Sequence, residues 1–165
     1  GDDIVYPTEG KVVHFEGELG VVIGRPTRRV AAADALHYVL GYTIGNDVSE
    51  RVIQKKEMAN GCMLICKGFD TFKPLGPWIT TDLDPSDLQL TTRVNGDMKQ
   101  SSSTSDLIFP VPQLIEYMSA AMTLLPGDII MTGTPSGVGD IQPGDEIVID
   151  IEGIGTLSNP VVAER

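Results

Sequence analysis

His14-Phe15-Glu16-Gly17-Glu18-Leu19-Gly20-Val21-Val22-Ile23-Gly24 is the stretch from which the fold is read. At a period of two, Val13, Phe15, Leu19, Val21 and Ile23 fall on one side. His14, Glu16, Glu18, Gly20 and Val22 fall on the other. Such alternation, rich in β-branched residues and closed by a glycine, predicts a strand. Its second side is unusual. Two carboxylates two residues apart point the same way, beside an imidazole, on a strand that soon turns wholly apolar. Like charges about 4 Å apart repel by roughly 4 kcal/mol at a protein-like dielectric. A hard divalent cation with oxygen ligands would offset that repulsion. The competing reading is a solvated edge strand carrying two surface acids.

The chain around this strand has 165 residues, enough for one domain with a sizeable core. It is read as a single domain over 1–165. The first residues, Gly1-Asp2-Asp3, carry no Met, so a fragment lacking an upstream segment is expected. No run is long and apolar enough to span a bilayer, and no signal peptide is recognisable. The net charge of −11 argues against nucleic acid and anionic membranes as partners, since both need basic patches. An acidic protein that binds an acidic substrate must supply a local cation, and a metal would do so. Cys62 and Cys66 are the only cysteines, and their spacing completes no zinc site. Reduced thiols in the cytoplasm are expected.

Outward from the strand, 1–10 reads as a short strand with a loop, and Arg25-Pro26-Thr27 as a break. The helix formers of Ala31 to Leu40 predict a helix, with Leu36, Val39 and Leu40 on one face and Gly41 as its stop. Tyr42 to Gly45 is a short strand delivering Asn46-Asp47. The stretch to Glu57 reads as a helix that Asp47 or Ser49 could cap. Lys67 is the one charge in the apolar run Met63 to Phe69. Asp70 to Trp78 reads as a rigid loop, and Ile79-Thr80-Thr81 as a strand end. Asn95-Gly96, between Leu88–Val94 and Asp97–Gln100, is a type I′ hairpin signal. Ser101 to Ser105 reads as a polar loop. Val111 to Met122 places Leu114, Ile115, Met118, Ala121 and Met122 at helical spacing. Ile129 to Met131 leads to a glycine-rich turn, and a final hairpin sets Glu146–Ile151 against Gly155–Val162. Strands outnumber scattered helices, which defines an α+β chain dominated by antiparallel or mixed sheet.

Thr132-Gly133-Thr134-Pro135-Ser136-Gly137-Val138-Gly139 is neither a P-loop nor a dinucleotide fingerprint. Such a turn can still bring N–H groups and hydroxyls close to a small anion. Taken with the Glu16/Glu18 strand, Gly41 to Arg51, and Lys67-Gly68-Phe69-Asp70-Thr71-Phe72 to Gly76-Pro77-Trp78, it resembles the fumarylacetoacetate hydrolase family over nearly the whole chain. The resemblance implies a mixed β-sandwich or roll with a few short peripheral helices. It implies a divalent metal, Mg²⁺ or Mn²⁺, held by Glu16, Glu18 and Asp47. It implies that Lys67 is catalytic and reaches the substrate with Gln54 and Thr134, and that His14 sits behind the metal ligands.

Three carboxylates exceed the charge of one dication. A chelating 2-oxo acid would therefore pair its own carboxylate with Lys67 or Arg51. The activity implied is hydrolysis, decarboxylation or keto–enol isomerisation of 2-oxo or 1,3-dicarbonyl acids, as in 2-hydroxyhepta-2,4-diene-1,7-dioate isomerases and acylpyruvate hydrolases. Oxaloacetate decarboxylation or tautomerisation, and a non-catalytic metal-binding scaffold, are the alternatives. Family hydrolases carry a tyrosine where Met58 aligns, and an upstream lid with a His–Glu pair. A small 2-oxo or dicarboxylic acid and a second copy of the chain, as a homodimer, are the expected partners.

Overall fold

The structure, a computed structural model, describes residues 1–165. In chain order the strands are β1 (Ile4–Tyr6), β2 (Val13–His14), β3 (Gly17–Ile23), β4 (Val39–Asn46), β5 (Ser49–Glu50), β6 (Leu75–Thr80), β7 (Gln89–Val94), β8 (Asp97–Ser103), β9 (Ile129–Met131), β10 (Glu146–Ile151) and β11 (Gly155–Ala163). Between them lie α1 (Arg51–Met58), α2 (Ile65–Gly68), α3 (Val111–Ala121) and two 3-10 segments. This is the expected α+β chain, mainly β with short helices.

Two larger sheets, ordered β1-β11-β10-β7-β8 and β6-β4-β3-β9, face each other, and β2 pairs with β5 in a small third sheet. All pairs are antiparallel except β1 with β11, so the first sheet is mixed. The sheets meet tightly at Gly17. A Cβ there would clash with Thr92 Oγ1 and stand 3.1 Å from Gln100 Oε1. Phe15, Leu19, Val21 and Ile23 enter the core at 1% exposure or less. Each such side chain contributes about 1.5–3 kcal/mol through burial.

The decisive stretch is two strands rather than one. β2 pairs with β5 and β3 with β4, so the chain changes partner at Phe15–Glu16. β3 lies between β4 and β9 and is buried along its whole length, which excludes a solvated edge.

Five other expectations change. Ala32–Tyr38 is a 3-10 segment, and β4 already begins at Val39, which pairs with Ile23. No side chain caps its start, and the aromatic and β-branched Tyr38-Val39 favour extended pairing. Leu36 and Leu40 are exposed. Neither Asp47 nor Ser49 caps α1. Glu50 does, accepting from the Ile53 N–H at 2.5 Å. The serines continue β8 through Ser103, opposite Gln89, before a 3-10 turn over Thr104–Asp106. The 70–78 loop gives way to β6 at Leu75, paired with Gly45. On α3, Ile115 is buried and Leu114 and Met118 are partly so, but Ala121 and Met122 are exposed. The Asn95-Gly96 hairpin forms as read, with φ of 52° and 86°.

Candidate active site

β3 carries its core residues and its acids on opposite faces. Leu19, Val21 and Ile23 point between the sheets, and Glu16 and Glu18 point the other way. Asp47 follows β4, the partner of β3. Ligand oxygens of Glu16, Glu18 and Asp47 lie within 4.8 Å of one another. The residues are 7%, 3% and 9% exposed. Backbone contacts fix the junction. The Glu16 N–H donates to Asn46 Oδ1 at 2.9 Å, and the Asp47 N–H to the Glu16 carbonyl at 2.8 Å. Gly45 stands opposite Glu18 in register, so no β4 side chain rises beside that carboxylate.

Three cations converge on this triad. Arg51 opens α1, and its guanidinium donates to Glu16 Oε1 at 2.6 Å and to Gln54 Oε1 at 2.8 Å. Lys67 Nζ donates to Glu16 Oε2 at 2.7 Å and to Asp47 Oδ2. Lys73 Nζ lies 2.5 Å from Asp47 Oδ1 and donates to the Lys67 carbonyl at 2.7 Å. Glu18 has no ion-pair partner; the Gly133 N–H donates to its Oε2 at 2.7 Å. Burial pushes the Glu18 carboxyl up to about 7. The Gly133 hydrogen bond opposes this, and the charges of Asp47 and Glu16 add to it. Burial disfavours the Lys67 charge, but hydrogen bonds to Asp47 and Glu16 outweigh it and hold the ammonium above the usual lysine range.

The apolar run around Lys67 is not a buried segment. Met63, Leu64 and Ile65 are exposed, and α2 is a single turn. What aims Lys67 is Glu57 in the last turn of α1. Its carboxylate accepts the N–H groups of Leu64, Ile65 and Cys66 at 3.0, 2.8 and 3.0 Å, filling the donors that a helix start leaves open. Those bonds, led by the Cys66 contacts, pull its carboxyl down to about 2.

The structure thus gathers Glu16, Glu18, Asp47, Lys67 and Arg51. Gln54 stands at the edge of this group, bonded to Arg51 and, through Nε2, to Met63 Sδ at 3.6 Å. Thr134 pins the glycine-rich segment to β3, donating to the Gly17 carbonyl at 2.9 Å and accepting from Gln100 at 2.8 Å. His14 Nε2 lies 2.8 Å from Asp140, and no hydrogen bond joins it to the triad. The sequence reading has the glycine-rich turn offer N–H groups to an anion, as Gly133 does to Glu18, but gives no role to Lys73, Asn46 or Gln100. Each meets its partner across the fold, and no spacing rule signals that.

A cleft of about 480 Å³ also opens along Thr132–Ser136, walled by Leu19, Leu107, Phe109 and Leu114. Leu19 lines it from the face of β3 opposite Glu18, and Gly133, whose N–H donates to Glu18, lines it too.

The donor set fits a divalent cation. It is made of carboxylate oxygens alone, and Asp47 Oδ1 is buried without an aligned hydrogen bond, although the Lys73 ammonium is close. Fold and site together define a mixed β-sandwich with an oxygen triad suited to a dication and a cationic rim suited to an organic acid. The Fumarylacetoacetate (FAA) hydrolase C-terminal family model matches residues 1–162, and the chain belongs to this family.

The crystal structure of a 5-carboxymethyl-2-hydroxymuconate delta-isomerase from Mycobacterium smegmatis superposes with a TM-score of 0.96 and 56% identity, covering 100% of this chain and 64% of that one. The 4-hydroxyphenylacetate degradation bifunctional isomerase/decarboxylase of Salmonella dublin is 46% identical over 98% of this chain and 38% of its own length. A maleylpyruvate hydrolase from Sphingobium sp. SYK-6, in complex with manganese(II) ion and pyruvate, gives a TM-score of 0.90 and 40% identity over 99% of this chain and 60% of that one. The chain therefore spans less than two thirds of the length of these three relatives.

Proposed function

We propose that this chain is the catalytic region of a divalent-metal-dependent enzyme acting on 2-oxo or 1,3-dicarbonyl acids, by C–C hydrolysis, decarboxylation or keto–enol isomerisation. The observation that carries this reading is the buried Glu16–Glu18–Asp47 triad with Lys67 and Arg51 hydrogen-bonded to it. Glu16, Glu18 and Asp47 would hold the metal, and Mg²⁺ or Mn²⁺ suits three carboxylates. When bound, the metal supplies Lewis acidity toward a ketone oxygen and its enolate.

The chain's own residues do the rest. Lys67 and Arg51 are the donors for the substrate carboxylate, and each must turn from Glu16 to meet it. Gln54 orients Arg51 through their shared hydrogen bond. Thr134 holds the glycine-rich segment against β3, and with it the Gly133 N–H that keeps Glu18 in place. His14, bonded to Asp140, steadies the far end of the same segment. A homodimer is supported by the apolar surface beside α3, where Ile108 and Phe109 are 88% and 59% exposed. A cytoplasmic setting fits the free thiols of Cys62 and Cys66.

Dialysed protein assayed with oxaloacetate and acetylpyruvate, with and without Mg²⁺, tests the reading. Turnover that requires the metal is expected. No turnover with either acid, with Mg²⁺ or Mn²⁺ present, would overturn it in favour of a non-catalytic metal-binding module.

A further inference from the structure

Lys73 has no part in the roles above, yet its ammonium stands between the two residues that matter most to them. Nζ lies 2.5 Å from Asp47 Oδ1 and donates to the Lys67 carbonyl at 2.7 Å. The backbone that carries it is fixed. Phe72 is fully buried, its N–H donates to the Phe69 carbonyl, and its own carbonyl accepts the Val48 N–H, both at 3.1 Å. The Lys73 stem therefore leaves a rigid point one residue past the Asp47-Val48 junction's hydrogen-bond partner. At its far end it donates to a carbonyl of α2, whose single turn leaves its carbonyls without intrahelical donors. Glu57 thus ties down the start of α2, and Lys73 its end.

We propose that Lys73 is a positioning residue that couples the carboxylate site to the placement of Lys67. One ammonium neutralises Asp47 on the oxygen that Lys67 does not use, and the same ammonium anchors the backbone from which Lys67 reaches. The inference rests on reading the triad as a divalent-cation site. The Lys73–Asp47 contact is a charge contact without hydrogen-bond alignment, and the Lys73 side chain is 40% exposed. A dication arriving at Asp47 therefore competes with Lys73, which keeps its hold on the Lys67 carbonyl. Loss of Lys73 should have opposite effects on the two ligands. Metal binding gains because a competing positive charge is gone, and anion binding suffers because Lys67 is no longer held.

Calorimetric titration separates these effects in wild type, Lys73→Met and Lys73→Arg, using Mn²⁺ alone and then oxalate added to Mn²⁺-loaded protein. In Lys73→Met, Mn²⁺ is expected to bind about fivefold more tightly, the order of one nearby charge at partial exposure. Oxalate should bind about tenfold more weakly, the order of one charge-assisted contact. Lys73→Arg should restore oxalate binding. Unchanged oxalate affinity in Lys73→Met, or Mn²⁺ and oxalate weakened together, would overturn the proposal, the second outcome marking a merely structural lysine. Lys73→Gln replaces Lys73→Met should the latter not fold. Wild-type protein that binds no Mn²⁺ would defeat the reading of the triad, not this inference. The metal-free protein then decides, through the acetylation rate of the Lys67 amine by acetic anhydride. A rise in Lys73→Met supports the anchor, and equal rates refute it.

Discussion

Glu18 is the acid of the triad that no cation touches, and its substitution separates charge from shape. A glutamine there keeps an oxygen for the Gly133 N–H and removes a carboxylate whose ionised form is disfavoured by burial and by two neighbouring acids. Glu18→Gln is expected to leave the melting temperature of metal-free protein equal or higher at neutral pH, while Mn²⁺ affinity in calorimetry falls by about tenfold or more. Lys67 behaves differently. It is hydrogen-bonded to two of the three carboxylates, so Lys67→Met should leave Mn²⁺ binding intact or tighter. The same change should raise KM for a 2-oxo acid by about 10- to 100-fold, the kinetic equivalent of a lost charge-assisted contact of about 1.5–3 kcal/mol. Steady-state kinetics on the metal-saturated variant checks this. At this scale the acids and Lys67 were legible because their motifs are local. Lys73 was not, since its partner Asp47 lies on another strand end and only folding joins them.

Glu50 joins elements rather than ligands. It is fully buried, and its carboxylate accepts the N–H groups of Lys11 and Val12 at 3.1 Å and of Ile53 at 2.5 Å, tying the approach to β2 onto the first turn of α1. Burial raises its pKa, but the four backbone N–H groups around it outweigh that and hold it below the usual carboxylate range. A depressed folded value means that the stabilisation is complete above the unfolded pKa, roughly 4.3, and is lost as pH falls through the lower folded one. Glu50→Gln should therefore lower stability at pH 7 by about 1.5–3 kcal/mol, with the gap to wild type closing only below about pH 4. Urea denaturation at a series of pH values reads both. The cap escaped the sequence reading because Asp, Asn, Ser and Thr are the usual N-cap types, and Ser49 and Asp47 stood closer to that rule. Ser49 instead donates to the Asp47 carbonyl at 2.9 Å, and the Asp47 carboxylate belongs to the triad. The Asn95-Gly96 hairpin was legible for the opposite reason, since positive φ at two successive positions is a property of those residues themselves. The stretch 31–40 misled because its alanines favour helix while its end is claimed by pairing with β3, a contact no local propensity contains.

Across the whole molecule, the two sheets are held at a distance set by Gly17. Gly17→Ala drives a methyl into Thr92 and Gln100, both on the facing sheet and at most 1% exposed, and should cost about 1–3 kcal/mol. The same shift displaces the Gln100 amide that accepts the Gly17 N–H and donates to Thr134, so Mn²⁺ affinity should fall with the melting temperature. A variant with lowered stability and unaltered Mn²⁺ binding would show that the site does not feel the sheet spacing. A sheet-dominated α+β chain was legible from alternation and turn residues, and the sandwich only through the family resemblance, whereas the order of its strands was not, because nothing in β1 announces β11 as its partner. That pairing reaches from one end of the chain to the other, with Ile4 beside Val161 and the Thr8 N–H donating to Glu164. During synthesis β1 leaves the ribosome well ahead of β11 and must wait for it before its edge is covered. Ile4, wholly buried once paired, stays open to solvent and to chaperones until β11 arrives. The five-stranded sheet can therefore close only once β11 has been made, at the unhurried pace of long-range strand pairing.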